Sequence, residues 1–170
     1  IENCRKAGLG IVLVPTVING KNDHQIGDII RFAAKNIDVI RGINFQPVAF
    51  TGAAKNDDVE RERVTVPDLV ERMEEQTGGA LRRTDFYPVP SMMSVCDLIE
   101  SYTGEAQIMF CAHPHCGAAT YGFVNEKGDI VPVNRFIDVD KFLSEVAKMA
   151  EKFRSAGKTG RYLAMVTGIN

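Results

Sequence analysis

The chain has 170 residues, 45% of them hydrophobic and 25% charged, with a formal net charge of −2. That suits one ordinary domain or part of a larger one, and with no basic stripe carrying interleaved aromatics it excludes an electrostatic nucleic-acid surface. The longest apolar run, 8–17, is about half a membrane span, no signal peptide opens the chain, and four cysteines are too sparse for a disulfide scaffold, so a cytoplasmic setting is expected.

Residues 2–8 (Glu-Asn-Cys-Arg-Lys-Ala-Gly) match the last turns of a helix, with Arg5 and Lys6 at its negative end and Gly8 as its left-handed stop. The run 10–17 follows at once and is continuous and β-branched, as expected of a strand buried on both faces of a parallel sheet. A domain rarely begins with a helix tail feeding a central strand, so the chain is expected to start in the middle of a fold. Residues 18–23 form a turn-rich loop in which Asn22 or Asp23 can cap a helix over 24–35. Ile26, Ile29, Ile30, Ala33 and Ala34 supply its apolar stripe. A second strand over 39–50 completes a βαβ unit with parallel strands.

Residues 51–64 are charged and predict a solvated loop or lid. Thr65 predicts a helix cap, with Pro67 in the first turn, Asp68 three residues past the cap and Gly78-Gly79 as the stop. Two prolines break the region 85–90, and Ser91 is placed to cap a helix through Cys96 to Tyr102. A short strand is expected over 105–110, a hairpin from 118–124 and 129–133 across Asn125-Glu126-Lys127-Gly128, and a last helix from Asp138 or Asp140 to Arg154. Phe142, Val146, Met149, Ala150 and Phe153 give that helix its apolar face.

The sharpest chemical pattern is Cys111-Ala112-His113-Pro114-His115-Cys116. Two thiolates with four intervening residues can share one metal centre, a spacing also used by plant-type iron–sulfur clusters. His113 and His115 can instead complete a tetrahedral zinc site, and the plain alternative is two reduced thiols in a tight loop. Cys96 is the third candidate ligand, on a helix whose core face also offers it a packing role. Cys4 fits a packed or exposed thiol better than a ligand. Ligands bind at the carboxyl ends of parallel strands. That singles out Pro15, Thr16, Val17 and Asn19 on the first strand and Asn44, Gln46 and Pro47 on the second. Hydrogen bonding to nearby loops explains these polar residues equally well. Arg82-Arg83 can grip an anion, although surface ion pairing is the commoner outcome. No hydrolase, P-loop or zincin motif is present.

Three stretches, 2–23, Asn44-Phe45-Gln46-Pro47 and Phe110-Cys111-Ala112-His113-Pro114-His115-Cys116-Gly117, resemble the C-terminal half of radical S-adenosylmethionine (SAM) enzymes. The likeness is to the archaeal group containing class D methyltransferases and tetraether lipid synthases, and it covers about residues 1–145. It implies an α/β fold: the C-terminal half of a partial (β/α)6 barrel over 1–90, and a small α+β extension with a Cys-rich loop over 91–170. It implies radical methylation or C–C coupling on a lipid- or pterin-like small molecule. The SAM pocket would be lined by Val14, Pro15, Thr16 and Val17 and by Asn44, Gln46 and Pro47. An auxiliary [4Fe–4S] cluster, or zinc, would sit at Cys111 and Cys116, with Cys96 as a third ligand. The three-cysteine motif that holds the radical-generating [4Fe–4S] cluster is absent, so the partner expected is the N-terminal half of the same polypeptide, and the 170-residue piece is expected to be inactive alone. The other readings are a non-catalytic zinc or iron–sulfur module and a fragment of a molybdenum-cofactor-type cyclase.

Overall fold

The computed structural model describes residues 1–52, 56–108, 113 and 116–156. They form two compact units, one from Ile1–Phe86 with Thr120–Pro132, the other from Tyr87–Ala119 with the chain from Val133 onward. The architecture is mixed α/β, built from two-stranded sheets, and no closed barrel is present among the described residues. No described helix is long and apolar enough to cross a membrane.

In the first unit, α1 (Glu2–Lys6) ends as its sequence predicts. Gly8 adopts φ +67°, its N–H donates to the Arg5 carbonyl, and the Leu9 N–H donates to the Cys4 carbonyl, a Schellman closure. The chain then enters β1 (Ile11–Leu13) and β2 (Thr16–Val17), crosses through a 3-10 turn and α2 (Ile26–Lys35), and returns as β3 (Ile40–Ile43) and β4 (Gln46–Pro47). β1 pairs parallel with β3, and β2 pairs parallel with β4, Thr16 opposite Gln46 and Val17 opposite Pro47. These are two stretches of one ladder. The Asn44, Gln46 and Val48 N–H groups donate in turn to the Leu13, Pro15 and Val17 carbonyls at 2.8, 2.9 and 3.0 Å. Pro15 has no N–H to return, and the missing rung divides the strands where it stands.

The expected helix cap does not form. Asn22 and Asp23 make no cap bond at the start of the 3-10 turn or α2, because both side chains are spent on the preceding loop. The expectation that the first strand is buried on both faces is also corrected. Ile11, Leu13, Pro15 and Val17 face inward, while Val12 and Val14 are each 56% exposed and Thr16 is exposed. Val17, Ile26, Ile30, Val64, Leu69, Met73 and Leu81 form the main core, and Ala33, Val39 and Ile40 a second cluster against which Cys4 packs.

The charged stretch expected as a loop contains a helix, α3 (Asn56–Glu62). Its end is tied down by Asn19, whose backbone N–H donates to the Glu62 carbonyl (3.0 Å) and whose Nδ2 donates to the Arg61 carbonyl (2.7 Å). α4 (Val66–Gln76) starts on the predicted capping box: the Asp68 carboxylate accepts from the Thr65 N–H and hydroxyl at 2.8 and 2.7 Å. Gly78 and Gly79 follow it with φ +61° and +79°. α4 lies close on α2. A Cβ on Gly27 would stand 2.6 Å from the Gln76 carbonyl oxygen, and the Gly27 N–H donates to Gln76 Oε1.

The expected hairpin is shorter than predicted. β7 (Gly122–Val124) and β8 (Ile130–Pro132) pair antiparallel across a turn with Gly128 at φ +85°. Residues 118–119 instead form β6 in the second unit, antiparallel to β5 (Tyr87–Pro88), where the Val89 N–H reaches the Gly117 carbonyl. There α5 (Met93–Thr103) follows a 3-10 turn rather than a Ser91 side-chain cap. Residues 105–108 are not a strand: the Thr103 hydroxyl and the Glu100 carboxylate accept from the Glu105 and Gln107 N–H groups and hold the chain beside the helix end. The rest of that expected strand lies outside the described residues. α6 (Val139–Ser155) is capped by Asp138 as predicted and packs on α5, with the Tyr102 and Phe153 ring centroids 5.7 Å apart. Val146, Ala150 and Phe153 are buried, whereas Phe142 and Met149, also assigned to that face, remain exposed.

Two outcomes follow from this packing. Gly27→Ala is expected to destabilise the chain by about 1–3 kcal/mol, read as a lower urea midpoint, because backbone rather than a flexible side-chain tip blocks the new methyl. Hydrogen bonds from the Thr65 side chain, then its backbone, hold the Asp68 carboxyl below its ordinary pKa. Its contribution is present above about pH 4 and is lost as acid titrates the folded state. Asp68→Asn should therefore flatten the acid limb of a stability–pH curve and leave its shape near neutrality unchanged.

Candidate functional site

Strand alternation sorts the predicted ligand-binding residues between two faces. Thr16, Asn44 and Gln46 lie with Val12 and Val14 on the open face of the parallel pair, whereas Pro15, Val17 and Pro47 lie on the packed side. Val17 is 2% exposed and part of the core. The open face is graded: two valines at the start of the first strand, then a hydroxyl and two primary amides at the carboxyl ends. No hydrogen bond engages the Thr16, Asn44 or Gln46 side chain among the described residues, so all three are available to a ligand.

The loop leaving β2 is fixed by side chains that composition alone marks only as turn formers. Asn22 Nδ2 donates to the Thr16 carbonyl (2.8 Å) while Asn22 Oδ1 accepts the Ile18 N–H (2.9 Å). The Gly20 N–H donates to Asp23 Oδ1. From α4, Arg72 Nη2 donates to Asn19 Oδ1 (2.6 Å), Arg72 Nε lies 3.1 Å from Asp23 Oδ2, and Gln76 Nε2 donates to the Asp23 carbonyl (2.8 Å). Asn19, a candidate for ligand contact, thus serves α3 and Arg72. Arg72 and Gln76 are the structurally decisive residues that sequence reasoning missed. Their only sequence trace is a polar pair on an otherwise amphipathic helix.

At the first strand's outer flank, Leu13, Val14 and Pro15 with Gln25, Asp28, Ile29 and Phe32 line an open groove of about 550 Å³. Elsewhere, Arg83 pairs with Glu71 and Glu74, the surface outcome expected of it. Arg5 joins α1 to the approach to β3, bonding Asp38 (2.5 Å), Asn36 (2.9 Å) and Glu2.

Of the predicted metal ligands, Cys111 lies outside the described residues, as does His115. Cys116 is exposed and its N–H donates to the His113 carbonyl (2.7 Å). Cys96 is half-buried on α5. Among the described residues no three His, Cys, Asp or Glu side chains assemble into a ligand set.

Removing the Arg72 side chain frees the loop and leaves the mostly buried Asp23 carboxylate without its cation. Arg72→Ala should cost about 2 kcal/mol in chemical denaturation, and faster amide exchange should be confined to 18–25 and the end of α3.

No family model matches the chain. It is 47% identical over 169 residues, 99% of its length, to the 7,8-dihydro-6-hydroxymethylpterin dimethyltransferase of Methanocaldococcus jannaschii. It spans about a third (33%) of that relative's length.

Proposed function

We propose that this chain is the C-terminal portion of a radical SAM enzyme that methylates a pterin. The observation that carries the reading is the 47% identity, sustained across nearly the whole chain, to a protein named as a pterin dimethyltransferase. It favours methylation over C–C coupling and a pterin over a lipid. The parallel βαβ arrangement supports placing β1–β4 as two neighbouring strands of a partial (β/α)6 barrel, whose other strands belong to the remainder of the polypeptide.

The open face fits S-adenosylmethionine. The unengaged Thr16 hydroxyl and the Asn44 and Gln46 amides offer donors and acceptors for ribose hydroxyls and an adenine edge. Val14 offers apolar contact, and Pro15, Val17 and Pro47 back the pocket from behind. Bound there, SAM would supply the reactive group for alkylation, with the activating iron–sulfur cluster held by the rest of the enzyme. This chain's share is to bind and orient. Cys111 and Cys116, with Cys96, are the residues we assign to an auxiliary [4Fe–4S] cluster. Two features support that: Cys116 is exposed, and β5–β6 pairing ties its loop to the segment leading into α5, which carries Cys96.

Anaerobic purification of the 170-residue chain followed by metal and sulfide analysis tests the cluster. Brown protein containing iron and sulfide, lost in Cys111→Ala and Cys116→Ala, is the expected result. Colourless protein with stoichiometric zinc would instead establish a zinc module. In the intact enzyme, Gln46→Ala should raise the KM for SAM about tenfold, the equivalent of one hydrogen bond of about 1.4 kcal/mol. An unchanged KM removes Gln46 from the pocket.

A further inference from the structure

The carboxyl end of the first strand is held from outside the sheet. Residues 13, 15 and 17 direct their carbonyls to β3 and β4, so the Thr16 carbonyl points to the outer edge. There the Asn22 side chain supplies the two bonds a neighbouring parallel strand would make. Its Nδ2 donates to the Thr16 carbonyl (2.8 Å) and its Oδ1 accepts the Ile18 N–H (2.9 Å). The Lys21 and Asn22 N–H groups both donate to the Ile18 carbonyl (3.1 and 3.3 Å), which folds the loop back onto the strand it has just left. Thr16 is exposed, and its side chain stands on the open face opposite Gln46.

What keeps Asn22 in that pose lies on α4. The adjacent residue, Asp23, is fixed at three atoms: Oδ1 accepts the Gly20 N–H (2.9 Å), Oδ2 lies 3.1 Å from Arg72 Nε, and the carbonyl accepts from Gln76 Nε2 (2.8 Å). Arg72 Nη2 also donates to Asn19 Oδ1 (2.6 Å), so one guanidinium holds both ends of the turn 19–23. The Arg72 and Asp23 side chains are only 23% and 17% exposed, which strengthens these bonds against water. Arg72 Nη1 is buried with no hydrogen-bond partner among the described residues, and an unpaired buried donor costs stability. No residue of 18–23 belongs to either core cluster. The molecule thus bears that cost to hold a loop that adds nothing to the core but sets the strand end beside the open face.

We infer that Asn22 is a positioning residue for SAM. By fixing the Thr16 main chain it sets the direction in which the Thr16 hydroxyl meets the ligand, while Arg72 holds the loop of Asn22 in place from α4. The inference rests on the reading of the open face as the SAM pocket. Asn22 reaches that face through the Thr16 main chain, so its effect is pre-organisation rather than contact.

Equilibrium binding of SAM to the intact enzyme, with turnover measured alongside, is the test. Asn22→Asp is nearly isosteric and still accepts the Ile18 N–H, but it cannot donate to the Thr16 carbonyl. It should raise the Kd for SAM about fivefold to tenfold, with the loss falling on KM rather than on kcat. Thr16→Val removes the hydroxyl and should raise the Kd by a similar factor. In that background Asn22→Asp should add less than about twofold, because both changes remove the same contact. Arg72→Lys keeps a charge beside Asp23 but cannot also span to Asn19, and it should show the same dependence on the Thr16 hydroxyl. If Asn22→Asp fails to fold, Arg72→Lys decides the question in the same two backgrounds. An unchanged Kd, or an equal rise with and without the hydroxyl, overturns the inference while Thr16→Val and Gln46→Ala still weaken binding. Should those two variants bind SAM normally, the pocket reading falls and takes this inference with it.

Discussion

The parallel ladder between 11–17 and 40–48 is the constraint on which the first unit depends. Its register puts Val17 into the core beside Ile26 and Ile30 and simultaneously turns Thr16, Asn44 and Gln46 to the other face. A slip of one residue would reverse both assignments. Core and candidate binding face are therefore set by the same hydrogen bonds, and a change at Val17 or Phe45 is a change to the site from behind.

The second layer of control is the contact of α4 with α2 and with the loop after β2. Gly27 allows the helices to approach, and Gln76 and Arg72 then reach the loop. The loop is polar yet orderly, because its donors and acceptors are satisfied by side chains where regular structure offers none. Asn22 is the clearest instance, since a side-chain amide substitutes for a strand. Such a device fixes where a sheet stops, which in parallel α/β architecture is where ligands enter.

In the second unit, α5 and α6 pack through Tyr102, Val146, Ala150 and Phe153, with Arg154 3.9 Å from Asp97 as an exposed pair of small energetic weight. The short β5–β6 bridge, with the Val89 N–H donating to the Gly117 carbonyl, links the segment leading into this helical pair to the residues just after Cys116. The half-buried Cys96 is compatible with packing as well as ligation. The exposure of Cys116 and its adjacency to the bridge are what single out the loop chemically.

Much of the backbone plan was legible in the sequence. The Gly8 stop, the Thr65–Asp68 capping box and the Asp138 cap depend on interactions within a few residues, which local chemistry specifies, and the parallel βαβ order follows from the strand–helix–strand succession with short connections. What the sequence left open depends on partners distant along the chain. Asn22 and Asp23 have every property of helix caps, but the Thr16 carbonyl and Arg72 claim them. The 56–62 charges suggest a loop until Asn19 closes the helix end. A continuous apolar strand signals two buried faces, and the tertiary structure shows Val12 and Val14 open on one of them. Composition determined that ligand-competent groups stand near the strand ends. Only the ladder decided that Thr16, Asn44 and Gln46 share an open face while Pro15, Val17 and Pro47 do not, because alternation assigns faces only once the register is fixed.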